Sequence, residues 1–187
     1  MTWIILGIVA AFVLIGIFIY NRLVSLCQTT GQAWSDIDVQ LKQRSDLVPN
    51  LVETVKGYAA HERGTLEAVV AARNAAISAS GPAEQAAAEN ALTGALRQIF
   101  ALAESYPDLK ANENFLQLQT EIADLENKIA AARRFFNNAV AEYNAAIAQF
   151  PAVLFAGSMG FQPRDFFEVG EAERTAIQTP PKVSFGS

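Results

Sequence analysis

The side chains best able to do chemistry are scarce: the sequence holds one His, His61, and one Cys, Cys27. A carboxylate-bridged di-iron centre in a helical bundle takes two Glu-x-x-His pairs, which one His cannot supply. His61 and Glu62 are adjacent, so they do not share a helix face. No spacing brings His61 and Cys27 together as zinc ligands. Neither a metal nor a cofactor is expected. As a general base, His61 lacks an identifiable nucleophile or oxyanion partner, and no glycine-rich strand-to-helix loop is present to cradle a phosphate. The expectation is a protein without a catalytic reaction, in which His61 is capped or faces solvent. A membrane-proximal enzyme using His61, Glu62 and Arg133 is the least favoured reading.

Those residues are carried on 187 positions, enough for one compact core and little more. A single Cys excludes an intrachain disulfide framework, and Cys27 reads as a quiet apolar residue rather than an interchain link. With 19 acidic against 14 basic side chains, the formal net charge is −5. Nucleic acid is therefore not an expected partner, because neutralising phosphates takes a positive surface.

The stretch Trp3 to Tyr20, WIILGIVAAFVLIGIFIY, is eighteen residues without a charge. At the α-helical rise it reaches roughly 27 Å, near the hydrocarbon thickness of a bilayer. Trp3 and Tyr20 stand at its ends, where amphipathic rings favour the interface. A cleaved signal peptide would carry basic residues before the apolar run and a small-residue cleavage site after it; here nothing basic precedes Trp3, and the run is long. Leu26 is too bulky to precede a lipoprotein-type Cys27. Residues 1–21 are thus expected to be a transmembrane anchor in contact with the lipid bilayer. Arg22 follows the run while no basic side chain precedes it, which favours a cytoplasmic C-terminal bulk.

Residues 22–150 read as an antiparallel bundle of long helices, approximately 22–48, 50–79, 83–104 and 112–149. Ala, Leu, Glu, Gln and Arg dominate and cost little in a helix. Trp34, Ile37, Leu41, Val48, Leu51, Val55, Tyr58, Val69 and Ala76 follow three- and four-residue steps, with Arg44, Glu62 and Thr65 at intervening stripe positions. Pro49 predicts a kink or break, since it removes a ladder hydrogen bond; if it only bends the chain, three long helices replace four. Gly57 and Gly64 are further weak points. Ser80-Gly81-Pro82 is a stop and restart, followed by a stripe of Leu92, Leu96, Ile99 and Leu102 or Ala103. Asp108 and Asn112 suit caps in the turn 105–114, around Tyr106 and Pro107. Phe115, Leu118, Ile122, Leu125, Ile129, Ala132, Phe136, Ala139, Tyr143, Ala146 and Phe150 then keep a heptad seam, which Pro151 ends.

The tail, 151–187, holds Phe155, Phe161, Phe166, Phe167 and Phe185, more aromatic than disordered tails usually are. Its first part is expected to fold back on the bundle. The rival expectation is that these rings form a contact surface for a partner, a second copy or the membrane. Glu53, Glu62, Arg44, Arg73, Glu121, Arg133, Asn137 and Asn144 are candidates for interhelical polar pairs, which can set register and partner choice.

The stretches YNRLVSLCQTTGQAWSDIDVQLKQRSDLVPNLVETVKGYAAHE at 20–62, AARNAA at 71–76, and LAESYPDLKANENFLQLQTEIADLENKIAAARRFFNNAVAEYNAAIAQFP at 102–151 closely resemble the LemA family of bacterial membrane proteins. ESYPDLKANENFLQLQ is the most specific part. Tyr20, Asn21, Trp34, Arg44, Pro49, Asn50, Leu51, His61, Tyr106, Pro107, Leu109, Asn114, Arg133, Asn137, Tyr143, Asn144 and Pro151 match the family pattern. The resemblance implies an all-α fold: a single N-terminal transmembrane helix, with its short N-terminus outside, followed by a cytoplasmic four-helix bundle at the bacterial inner membrane. It implies no established activity. The family's best-described role belongs to a relative needed to form magnetosome membranes, and other members are linked to peptide display or membrane stress. The leading expectation is a membrane-anchored scaffold that assembles with copies of itself. The alternative is an adaptor presenting the turn 105–114 or the tail, with Phe161, Phe166 and Phe167, to a membrane-associated protein.

Overall fold

A computed structural model describes residues 1–168. Among them there is no strand, and the fold is all-α. The helices are α1 (Thr2–Lys56), α2 (Arg63–Ser78), α3 (Pro82–Ala103), the short α4 (Pro107–Lys110) and α5 (Glu113–Ala148). Two 3₁₀ turns, Ala152–Leu154 and Gly157–Met159, follow. The described residues divide into two compact units: Met1–Gln43 with Asp124–Phe166, and Arg44–Ala123 with Phe167 and Glu168.

Helix α1 is 55 residues long and carries Pro49 inside it. The break expected there is absent. The missing proline N–H leaves the carbonyl four residues earlier, on Ser45, without its helical donor. Arg73 of α2 supplies the replacement: its Nε donates to the Ser45 oxygen at 2.9 Å. Ser45 is buried, so the freed oxygen has no ready access to water and a side-chain donor matters. The chain leaves the helix eight residues later instead, where Gly57 stands. There the N–H groups of Tyr58 and Ala59 both bond the Val55 oxygen, at 3.0 and 2.8 Å, closing a turn. The expected segment 50–79 is therefore split, its second half being α2.

In the second unit, Val48, Leu51 and Val55 of α1 pack with Leu66, Val69 and Ala76 of α2. Leu92, Leu96, Ile99 and Ala103 of α3 join them, with Leu109, Phe115 and Ile122 closing the core. Full burial of each large aliphatic side chain is worth about 1.5–3 kcal/mol. Between α2 and α3, Gly81 takes φ +80°, a value that favours glycine. Pro82 starts α3, where a missing N–H costs nothing, and Glu84 accepts a hydrogen bond from the Ser80 N–H at 3.1 Å. Asn112 caps α5 by accepting from the Phe115 N–H at 3.0 Å.

In the first unit α1 and α5 run antiparallel. Leu23 shares a cluster with Tyr143, Ala146 and Ile147, while Trp34 further along α1 meets Phe136 at a ring separation of 5.4 Å. The α5 seam is buried at Leu125, Ile129, Phe136, Ala139, Tyr143 and Ala146. Val140 and Ile147, outside the expected seam, are buried as well, so its last turns bury a broader stripe. Phe150 lies beyond the helix end and is 79% exposed, contrary to the seam expectation.

The proline account is testable by a double-mutant cycle. Arg73→Met is expected to cost about 1–3 kcal/mol, the penalty for orphaning a buried carbonyl. In a Pro49→Ala background, where residue 49 regains its N–H, the same change should cost clearly less. Denaturant unfolding followed by helical circular dichroism in mild detergent reads both.

Candidate functional site

Three polar constellations stand out against the apolar packing, two in the second unit and one in the first. The most buried centres on Arg44, 2% exposed, and Glu89, 4% exposed. They form an ion pair between Arg44 Nη2 and Glu89 Oε2. Arg44 Nη1 also donates to Thr93 Oγ1 at 2.8 Å. Gln85 Nε2 donates to the other Glu89 oxygen at 2.9 Å and to the Ala76 carbonyl at 3.0 Å. Three helices are thereby pinned through one carboxylate. A guanidinium and a carboxylate so placed neutralise each other, and their bonds tie the packing of the helices together.

The second constellation ties the turn after α1 to the turn around α4. Tyr106 Oη donates to Glu62 Oε1 at 3.1 Å, and Asn112 Nδ2 donates to Tyr58 Oη at 2.9 Å. The hydrogen bond to Glu62 holds the Tyr106 phenol above its usual range, helped by desolvation and the nearby carboxylate charge. His61 is exposed in the same turn. Pro107 opens α4, and Asn114 is exposed at the start of α5.

The third constellation, in the first unit, gathers around Arg164. Its backbone N–H donates to Asn144 Oδ1, and its carbonyl accepts from Asn144 Nδ2, each at 2.9 Å. Its guanidinium reaches the Thr30 hydroxyl and Cys27 Sγ, and stands 5.6 Å from the centre of the Tyr143 ring. Tyr143 Oη donates to the Gln162 carbonyl at 3.0 Å. Burial pushes the Tyr143 phenol up, Cys27 adds to this, and Arg164 with the Gln162 bond works against it. A shallow recess lies beside this group, lined by Tyr20, Gln28, Tyr143, Phe161 and Arg164 among others.

The structure thus brings Tyr143, Asn144 and Phe161 together, and separately Glu62 with Tyr106. Trp34 packs on Phe136. Pro49 and Asn50 are exposed, as is Phe166 at 38%, while Phe167 is buried. Arg133 and Asn137 are half-buried on α5 and engaged with partners. Phe185 lies outside the described residues. Sequence reasoning missed Gln85, Glu89, Thr93, Thr30 and Arg164. Glu89 carried a usable signal: it lies three residues before Leu92 and seven before Leu96, on the buried stripe of α3. Among the described residues no three His, Cys, Asp or Glu side chains gather as metal ligands.

The model of the LemA family matches residues 33–185, most of the chain. The protein belongs to the LemA family. Its relatives include the magnetosome protein MamQ of Magnetospirillum gryphiswaldense, 27% identical across 91% of this chain and 72% of its own length. Magnetosome protein MamQ 2 of Paramagnetospirillum magneticum is 25% identical over 92% and 73%. Protein LemA of Metamycoplasma hominis is 29% identical over 88% and 78%. None of these names states a reaction. The LemA match takes in the Arg44 constellation, the Tyr106 turn and the residues 143, 144 and 164 of the third.

Two outcomes check these sites. Arg44→Met or Glu89→Leu alone is expected to destabilise the chain by about 3–5 kcal/mol, the cost of a buried unpaired charge. Both together should recover most of that in the same denaturant titration. In an alkaline absorbance titration, Tyr106 and Tyr143 should ionise above the ordinary tyrosine value of about 10, and Tyr106→Phe and Tyr143→Phe should each remove one late component. Because both groups are raised, their stabilising contribution is complete below the unfolded value and is lost as pH climbs through the folded one.

Proposed function

We propose that the protein is a membrane-anchored scaffold that acts through contacts with other proteins, copies of itself first, and catalyses no reaction. The observation that carries this reading is the continuity of α1. An eighteen-residue window of mean hydropathy 2.8 near its N-terminus is nowhere buried, and the same helix goes on to bury Leu23, Ile37 and Leu41. A hydrophobic run of this length left outside the core fits a bilayer crossing. No loop intervenes, so the anchor and the first part of the bundle are one rod.

Arg22, directly after the run, supports an orientation with the N-terminus outside and the bundle in the cytoplasm. The bacterial relatives support placement in the inner membrane, and those named magnetosome proteins support work at a membrane surface. Self-assembly is supported by apolar side chains left outside the cores. Val70 and Ile77 on α2 are 40% and 59% exposed, and their spacing of seven puts them on one face. The adaptor reading draws support from the turn 105–114, which the Tyr106–Glu62 and Asn112–Tyr58 bonds hold in place while Pro107, Asp108 and Asn114 stay exposed.

Native mass measurement of the full chain in lipid nanodiscs or mild detergent tests assembly. Multimers are expected. The double substitution Val70→Ser, Ile77→Ser should weaken them about ten-fold or more, since a buried aliphatic side chain is worth about 1.5–3 kcal/mol. A single-chain mass at every concentration would remove the self-assembly reading. Loss of a captured partner on replacing Asp108 and Asn114, with multimers intact, would favour the adaptor.

A further inference from the structure

From Tyr143 to Pro163 the sequence contains no Asp, Glu, Lys, Arg or His. Helix α5 comes back antiparallel to α1 and ends at Ala148, close beyond Ala146 and Ile147, which cluster with Leu23. Leu23 lies three residues past Tyr20, where the apolar run stops. The same cluster contains Ala152 and Ala156 of the loop, with Ile19 of the apolar run packed against it. The chain then turns away: Phe161 meets Tyr20 edge-on at 5.7 Å, and Arg164 reaches Cys27 and Thr30. Residues 149–160 therefore make their reversal at the level of Ile19 to Leu23, where an anchor spanning residues 3–20 leaves the hydrocarbon.

The two small residues, Ala152 and Ala156, face the helices. The large ones are left outside: Phe150 is 79% exposed, Leu154 73%, Val153 52% and Met159 48%. Four exposed apolar side chains in a stretch of sequence without charges would form a costly patch in water. At the headgroup–acyl boundary they become an anchor, and aromatic rings such as Phe150 and Tyr20 suit that depth.

We infer that residues 150–159 are an interfacial membrane anchor, which seats the loop in the lipid surface beside α1 and fixes the end of α5 against the bilayer. The inference rests on the reading of residues 3–20 as membrane-spanning. Its occupant is lipid rather than a second copy because the patch continues the surface of the apolar run through Ile19. Lipid photocrosslinking of the unaltered full chain tests it. The protein is reconstituted into phosphatidylethanolamine and phosphatidylglycerol vesicles carrying a trace of phosphatidylcholine with a diazirine near the top of one acyl chain, and adducts are mapped by peptide mass. Adducts are expected on residues 150–159 as well as within 2–21, and not on the exposed stretch around Val39. Labelling confined to 2–21 overturns the inference and leaves the spanning helix standing. If 150–159 instead crosslinks to another copy of the chain, the inference is overturned in favour of that copy. Labelling of neither segment overturns the spanning helix and this inference with it.

Discussion

A chain in hydrocarbon can leave no backbone amide or carbonyl unpaired, and a helix meets that demand from its own residues. Helix α1 carries the same solution beyond the apolar run, through Leu23, Ile37 and Leu41 and on to Lys56. The bundle elements are laid against parts of this one rod. Where its sequence threatens the ladder, at Pro49, the protein does not divert the chain; it brings Arg73 to the freed carbonyl of Ser45. The apolar run consequently passes into the bundle without a linker.

The polar side chains serve that architecture in a consistent way. Arg44 and Glu89 join α1 to α3 in a setting where either charge alone would be expensive. Asn144 and Arg164 do the equivalent for the returning chain, exchanging backbone and amide hydrogen bonds in both directions. Their geometry restricts which surfaces can meet, so they favour one register over neighbouring ones. Such groups bond chiefly to one another and to backbone.

Much of the helical framework was legible in the residues because local periodicity encodes it. The apolar run is read from its unbroken length, and the α3 stripe of Leu92, Leu96 and Ile99 and the α5 steps from Phe115 to Ala146 from side chains three or four apart. The continuity at Pro49 was not legible, since its remedy lies 28 residues away on another helix. Glu89 lies on the α3 stripe, but on an Ala-rich helix its charge reads as a surface one until Arg44, 45 residues earlier, is placed beside it. Arg164 belonged to a segment read as tail, and its partners Thr30 and Cys27 are more than a hundred residues distant. The burial of Ile147 on α5 needed Leu23 and the loop alanines, which no heptad count contains.

The most direct measurement of the central claim is the intact mass of the native protein that remains in alkaline carbonate-washed membranes. The account predicts the whole chain of 20.2 kDa in the pellet. A form in the supernatant lacking the residues up to about Tyr20 would contradict it.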